Sequence, residues 1–230
     1  MPLRAVLFDL DGTLYHQRPV RAWMAAELGR FVATDPRRGW RTAQVLRAYR
    51  RAQESLRHSS PALYEAATQL DLAASRSGVP RQDVARIVDE WMFERPLKYL
   101  ARYKASGLAD VLRGLEQRGL RLGVLSDYEA TRKLRALGIE RCFSQVLCAA
   151  DADVRALKPS PRGFLVACER WQLLPEQVVM VGDRADADAA GATAAGMRSV
   201  IVGRRALGAG GGATFVSSLE QVSSVIDECC

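Results

Sequence analysis

Two aspartates stand two residues apart near the start of the chain, in Asp9-Leu10-Asp11-Gly12-Thr13-Leu14, directly behind the apolar run Ala5-Val6-Leu7-Phe8. In a segment that stays extended, such a pair shares one face of the strand. One carboxylate can then attack an electrophilic centre while the other handles protons. Three later segments also end an apolar run, or follow one, in a reactive side chain. Val124-Leu125-Ser126-Asp127 ends in a hydroxyl. Leu157-Lys158-Pro159-Ser160-Pro161 holds a lysine among prolines, and with only 4 lysines against 29 arginines a retained lysine marks a place that needs a compact ammonium. Val181-Gly182-Asp183-Arg184-Ala185-Asp186-Ala187-Asp188 puts Asp183 at the end of another apolar run and Asp188 five residues on. An in-line nucleophile, a proton source and cations that spread charge over the transferring oxygens are the parts that phosphoryl transfer needs. Carboxylates gathered in one place repel each other unless a hard divalent cation sits among them. Mg²⁺, which takes oxygen ligands and keeps waters, needs few of them.

The elements that must position these groups alternate. Ala5–Phe8 is a short buried strand that stops at Asp9. From Tyr15 to Ser106 the period becomes helical. Val20, Trp23, Met24, Leu28, Phe31 and Val32 recur at three- and four-residue spacings, and so do Val84, Ile87, Val88, Trp91 and Met92. Two more helices are read at Trp40–Leu56 and Leu63–Leu72, with breaks at Asp35-Pro36, Ser59-Ser60-Pro61 and Gly78-Val79-Pro80. Trp23, Trp40 and Trp91 are read as core. After Gly107 come a helix to Arg118, strand 120–125, helix 129–137, strand 145–148, helix 161–171, strand 178–181, helix 186–195, strand 199–202 and helix 219–227. The fold class expected is α/β: a Rossmann-like, three-layer α/β/α core with a parallel sheet, plus a small all-α cap. Residues 1–14 and 107–230 form the core and residues 15–106 the cap.

The four motifs, in this order and over nearly the whole core, resemble those of the haloacid dehalogenase superfamily. That resemblance implies a helical cap inserted after the first motif, closing over the site and selecting the leaving group. It implies Asp9 as the nucleophile that forms an aspartyl-phosphate, and Asp11 as general acid and then general base. Ser126 would bind a phosphate oxygen, and Lys158 would offset the charge of nucleophile and phosphate. Mg²⁺ would be held by Asp9, the Asp11 backbone carbonyl and Asp183, with Asp188 either ligating or holding a metal-bound water. The second aspartate places the chain in the phosphatase branch, because dehalogenases of the family lack it. The expected activity is Mg²⁺-dependent hydrolysis of a small anionic phosphorylated metabolite. A phosphomutase or phosphotransferase with the same motifs is the alternative, although no distinct second phosphate site is evident in the sequence. A silent binding protein on this fold is a more distant one, since every catalytic carboxylate is kept.

Charge sharpens the expectation about substrate. Residues 15–105 carry 17 basic and 9 acidic side chains, a net of +8 within a chain whose total is +7. The excess belongs to the helical insert and suits an anionic substrate; His16, Arg18 and Arg21 are the candidates for contact with the leaving group. The arginine bias argues against reading the charge as a nucleic-acid surface. No apolar run is long enough for a membrane span or a signal segment, so a cytoplasmic monomer or homodimer is expected. The five cysteines, Cys142, Cys148, Cys168, Cys229 and Cys230, lack metal-ligand spacing and are read as reduced thiols. The stretch Ala209–Ala213 lacks the lysine and hydroxyl of a phosphate loop and is read as a surface loop. Asp183 to Asp188 lacks the glycine and glutamate of a calcium loop.

Overall fold

The computed structural model describes residues 1–59, 64–203 and 212–228. Six parallel strands form one sheet: β1 Ala5–Phe8, β2 Arg121–Ser126, β3 Gln145–Cys148, β4 Val178–Gly182, β5 Arg198–Val202 and β6 Ala213–Val216. Their order is β3-β2-β1-β4-β5-β6. The chain starts in the middle of the sheet, builds outward to β3, then returns to the other side of β1. The reversal beside β1 is where an open α/β sheet leaves a crevice at its carboxyl ends.

Strand β1 is buried on both faces. Val6 and Phe8 join one apolar cluster with Leu112, Leu115 and Leu134. Ala5 and Leu7 join another with Leu125, Phe164 and Met180. This is the continuous apolar run that a central parallel strand requires. Each buried leucine or phenylalanine contributes about 1.5–3 kcal/mol relative to exposure, so β1 is a firm base for the residue that follows it.

The helices divide into two groups. Between β1 and β2 lie α1 Gln17–Thr34, α2 Pro36–Ser59, α3 Ala66–Ser77, α4 Arg81–Val88 and the short α5 Leu97–Leu100, with a wide π-type turn over Asp89–Glu94. Then come α6 Leu108–Gln117, α7 Thr131–Leu137, α8 Arg162–Trp171, α9 Ala190–Ala194 and α10 Gln221–Glu228, which alternate with the strands. The first group has a core of its own, in which Val45, Leu46 and Tyr49 of α2 meet Ala73 of α3, Val84, Ile87 and Val88 of α4, and Trp91. Pro36 opens α2 where a helix tolerates it, and Gly78 ends α3 in the left-handed conformation at φ 67°. No strand lies among these helices in the described residues, as the sequence reading expects.

The structure corrects that reading in places. β6 was not expected; it is an edge strand paired to β5 alone. Helix α3 starts at Ala66, and Leu63 lies outside the described residues, as do the cysteines 229–230 and most of the glycine-rich stretch. Trp91 is core, but Trp40 is 62% exposed and Trp23 46% exposed. Trp23 lies along Tyr99 at 5.6 Å and donates its indole N–H to the Tyr103 hydroxyl at 2.7 Å, which is why it is tolerated at the surface. No described helix is long and apolar enough to cross a membrane.

Candidate active site

The register of three adjacent strands brings the motifs together. Phe8 pairs with Val124 of β2 and with Val181 of β4. Asp9, one residue past β1, therefore sits beside the ends of both neighbours, and its N–H donates to the Val181 carbonyl at 2.8 Å. Ser126 closes β2, and Asp183 follows β4 directly. Lys158 comes from the segment between β3 and α8 and is 5% exposed.

Lys158 is the centre of the charge arrangement. Its Nζ donates to Asp9 Oδ1 at 2.5 Å and to Asp188 Oδ1 at 2.7 Å, with the Leu125 carbonyl at 3.3 Å. Asp188 Oδ2 accepts the Arg184 N–H at 3.0 Å, which fixes that carboxylate within its own π-type turn, Ala185–Ala189. Thr13 donates to Asp9 Oδ2 at 3.2 Å. Asp9, Asp183 and Asp188 each offer an oxygen within 4.8 Å of the others. Burial pushes the Asp9 carboxyl up to about 8, with Asp188 and Asp183 adding to the rise against the pull of Lys158. Burial and Asp188 push Asp183 up to about 6. Burial alone would lower the Lys158 ammonium, but Asp188 and Asp9 hold it protonated, well above its ordinary value. Three carboxylates around one ammonium remain a net anionic site, which suits a hard divalent cation with oxygen ligands.

Asp11 faces a different set of partners. Both its oxygens accept from Lys133 Nζ, at 2.6 and 2.7 Å, and Oδ1 also accepts a short hydrogen bond from the Tyr15 hydroxyl. Burial would raise the Asp11 carboxyl, yet Lys133 and Tyr15 together hold it below the usual range. Its side chain is thus engaged by its own cation and is not among the three converging carboxylates. Gly12 makes the sharp turn that follows the two aspartates, at φ 110°, and a Cβ there would fall 2.2 Å from Asp183 Oδ2. Only glycine lets the first and fourth motifs approach this closely.

Ser126 is buried at the floor of the same space. Its Oγ accepts the Tyr128 N–H at 3.2 Å, which leaves the hydroxyl proton to point elsewhere. Asp127, to which the sequence reading gives no role, accepts the Lys158 N–H at 3.0 Å and pairs with Arg57 of α2 at 2.8 Å. Arg57 also donates to the Lys158 carbonyl at 2.5 Å. A side chain of the helical insert thus grips the backbone on both sides of the buried lysine.

Above these groups lies a cavity of about 380 Å³, within the range of small-molecule sites. Asp9, Asp11, Ser126, Lys158 and Asp183 line its base, and α1, α2 and the turn 89–94 form its roof. Asp188 sits behind Lys158, and Asp186 is exposed and paired with Arg184 at 2.6 Å. Of the three leaving-group candidates only Arg21 lines the cavity; His16 and Arg18 are exposed outside it. Sequence reasoning missed Lys133, Tyr15 and Arg57. Lys133 carried a usable signal: it and Lys158 are the two buried lysines of a lysine-poor chain, while Lys98 and Lys104 are exposed.

Comparison with known proteins bears on this geometry. A family model described as haloacid dehalogenase-like hydrolase matches residues 3–196. The glyceraldehyde 3-phosphate phosphatase of Methanopyrus kandleri is 29% identical over 217 residues, covering 88% of this chain and 84% of that protein. The phosphoglycolate phosphatase of Escherichia coli is 30% identical over 209 residues, covering 86% of this chain and 80% of that protein. Among solved structures, the 2-haloacid dehalogenase of Pseudomonas syringae pv. Tomato superposes with a TM-score of 0.70 at 24% identity, covering 99% of this chain and 100% of the other. That last likeness is one of fold.

Proposed function

The chain belongs to the haloacid dehalogenase-like hydrolases and is a phosphoric monoester hydrolase among them, and from that premise we propose that it cleaves a small phosphorylated metabolite through an aspartyl-phosphate on Asp9. The observation that carries this reading is the 2.5 Å contact of Lys158 Nζ with Asp9 Oδ1 at the base of the cavity, with Asp11 held by its own cation. In this reading one carboxylate is the nucleophile and the other the proton carrier.

In this reading an Asp9 oxygen attacks phosphorus as the bond to the leaving oxygen breaks, and Asp11 gives that oxygen its proton. Asp11 then takes a proton from water, whose oxygen attacks phosphorus. The bond to Asp9 breaks, releasing phosphate and restoring the carboxylate. Tyr15 and Lys133 keep Asp11 aimed and ionised in the empty site; a dianionic phosphoryl group arriving beside it raises its proton affinity. Lys158 stays charged throughout and spreads the negative charge of nucleophile and phosphoryl oxygens, and the Ser126 hydroxyl donates to one of those oxygens. The donors suited to Mg²⁺ are Asp9, Asp183 and Asp188 with the Asp11 carbonyl. When bound there, the cation would neutralise charge on the transferring group.

Residues 15–106 act as the cap in this reading, excluding water from the cavity they roof. The phosphatase names of the relatives, with glyceraldehyde 3-phosphate and phosphoglycolate as substrates, support a compact metabolite. The test is hydrolysis of p-nitrophenyl phosphate with Mg²⁺ by the wild type and by Asp9→Asn. Activity should fall by at least about 10³-fold, the scale of losing a covalent nucleophile; a variant within tenfold of the wild type overturns the assignment of Asp9.

A further inference from the structure

The cavity roof holds cations that the site's own chemistry does not use. Arg21, Arg50, Arg57, Lys133, Lys158 and Arg184 all line the cavity. Four of them are neutralised: Arg57 by Asp127, Lys133 by Asp11, Lys158 by Asp9 and Asp188, and Arg184 by Asp186. Arg21 of α1 and Arg50 of α2 have no carboxylate partner among the described residues. Glu54, one turn along from Arg50, is paired with Arg57 at 3.4 Å. The two guanidinium groups are close enough that Arg21, after burial, lowers the proton affinity of Arg50. Both side chains are exposed to solvent, and two like charges lining one cavity favour an anion between them.

A second observation points the same way. Gln53, one helical turn from Arg50 and on the same face of α2, is 5% exposed and lines the cavity. Its Oε1 accepts a short hydrogen bond from the Tyr128 hydroxyl, while its Nε2 has no partner. A buried amide donor left unpaired costs about 1–3 kcal/mol, so its persistence marks a place where an acceptor arrives. Two phenols, Tyr15 and Tyr128, line the cavity as well. Tyr15 and Tyr128 are both held well above their ordinary ionisation, by burial first, and carry no charge to satisfy the arginines.

Resting on the phosphatase reading above, we propose that Arg21, Arg50 and the Gln53 amide form a leaving-group subsite for a second anion, a carboxylate or a second phosphate. The substrate is then a compact phosphomonoester with an anionic group at each end. One end meets Lys158 and Ser126 and the other meets the two guanidinium groups and the Gln53 amide N–H. Guanidinium groups bind carboxylate and phosphate oxygens in pairs, which gives the subsite orientation as well as affinity.

The test uses three probes on one carbon skeleton: 3-phosphoglycerate, propane-1,3-diol bisphosphate and glycerol 1-phosphate. The wild type should favour one of the doubly anionic probes over glycerol 1-phosphate by about 10- to 100-fold in kcat/KM, the scale of one or two charge-assisted hydrogen bonds. Which of the two wins distinguishes carboxylate from phosphate. That ratio should collapse toward one in Arg50→Gln and Arg21→Gln and recover in part in Arg50→Lys. Equal treatment of the probes by the wild type, or an unchanged ratio in both glutamine variants, overturns the subsite. Equilibrium binding of the same probes to Asp9→Asn, with and without Arg50→Gln, reads the subsite without turnover. If the wild type hydrolyses nothing, including p-nitrophenyl phosphate, the phosphatase reading fails, while the binding ratio still decides the subsite. Circular dichroism melts of each variant separate loss of the subsite from loss of the fold.

Discussion

Replacing Arg57 by methionine removes a side chain of the helical insert that grips the backbone of the buried Lys158. The guanidinium is 8% exposed and Asp127, its partner at 2.8 Å, is 13% exposed. Methionine keeps much of the apolar stem, so packing changes little. What remains is an Asp127 carboxylate with the Lys158 N–H at 3.0 Å but without its ion-pair partner, and a Lys158 carbonyl stripped of its 2.5 Å donor. Breaking a buried pair from one side costs about 3–5 kcal/mol. At about 2–4 °C per kcal/mol for a chain of this size, the melting temperature should fall by at least about 6 °C. Asp127→Asn removes the stranded charge, so the double variant should be more stable than the sum of the single losses allows. A double-mutant cycle read by thermal or urea unfolding should give a coupling of at least about 1.5 kcal/mol. The kinetic consequence follows from the same contacts: a loosened Lys158 backbone should lower kcat toward p-nitrophenyl phosphate more than it raises KM. A melting shift under about 2 °C, or additive losses in the cycle, would refute the claim that Arg57 and Asp127 act as one unit in seating the lysine.

Gly12→Ala should be far more damaging than an exposed substitution, because the residue sits at φ 110° and its new Cβ would meet Asp183 Oδ2 at 2.2 Å. We expect a loss of at least about 2 kcal/mol in unfolding free energy and at least tenfold in activity, from the forced backbone and the displaced carboxylate; near-wild-type values for both would contradict the packing of the first motif on the fourth. The acidic cluster also sets a pH dependence. Asp9 is raised from 3.8 to about 8, so between those values the metal-free fold holds a proton that the unfolded chain releases, and stability falls as pH rises through that window. In EDTA, Asp9→Asn should therefore melt above the wild type at pH 8 and match it near pH 4; a gap that widens toward acid would invert the sign and sink the reasoning.

Much of the site was legible because register does the positioning. Once Ala5–Phe8 is a central parallel strand, the residue after it must lie beside the ends of its two neighbours, and those ends carry Ser126 and Asp183. Apolar runs ending in reactive side chains are visible in sequence, and chain connectivity alone then assembles them. β6 escaped because Ala213–Val216 is an edge strand with only Val216 buried, so it shows neither a continuous apolar run nor a clean alternation. Lys133 escaped for lack of a motif, although the scarcity of lysine that singled out Lys158 applied to it equally.

The residues of the cavity roof are a different case. Val45, Leu46, Tyr49, Ala52 and Leu56 make the apolar stripe that reveals α2, and periodicity is a search for that stripe. Arg50, Gln53, Glu54 and Arg57 recur at the same helical spacing, and all four line the cavity. A polar stripe at this spacing is what any helix shows to solvent, so the pattern by itself reads as a wetted surface. Its meaning changes only because the chain returns after Leu100 to place Lys158, Asp127 and Tyr128 against it, and no local window contains both sides. The number of polar side chains on such a face is therefore uninformative, whereas their state of pairing is not. On a solvated face water satisfies every donor, as it can for the exposed Arg21 and Arg50; the Gln53 amide, buried and unpaired against the cavity wall, is the donor left for another molecule to complete. Asp9, Ser126 and Asp183 are a property of strand ends, and the proposed second anion is a property of what the cavity roof leaves unpaired.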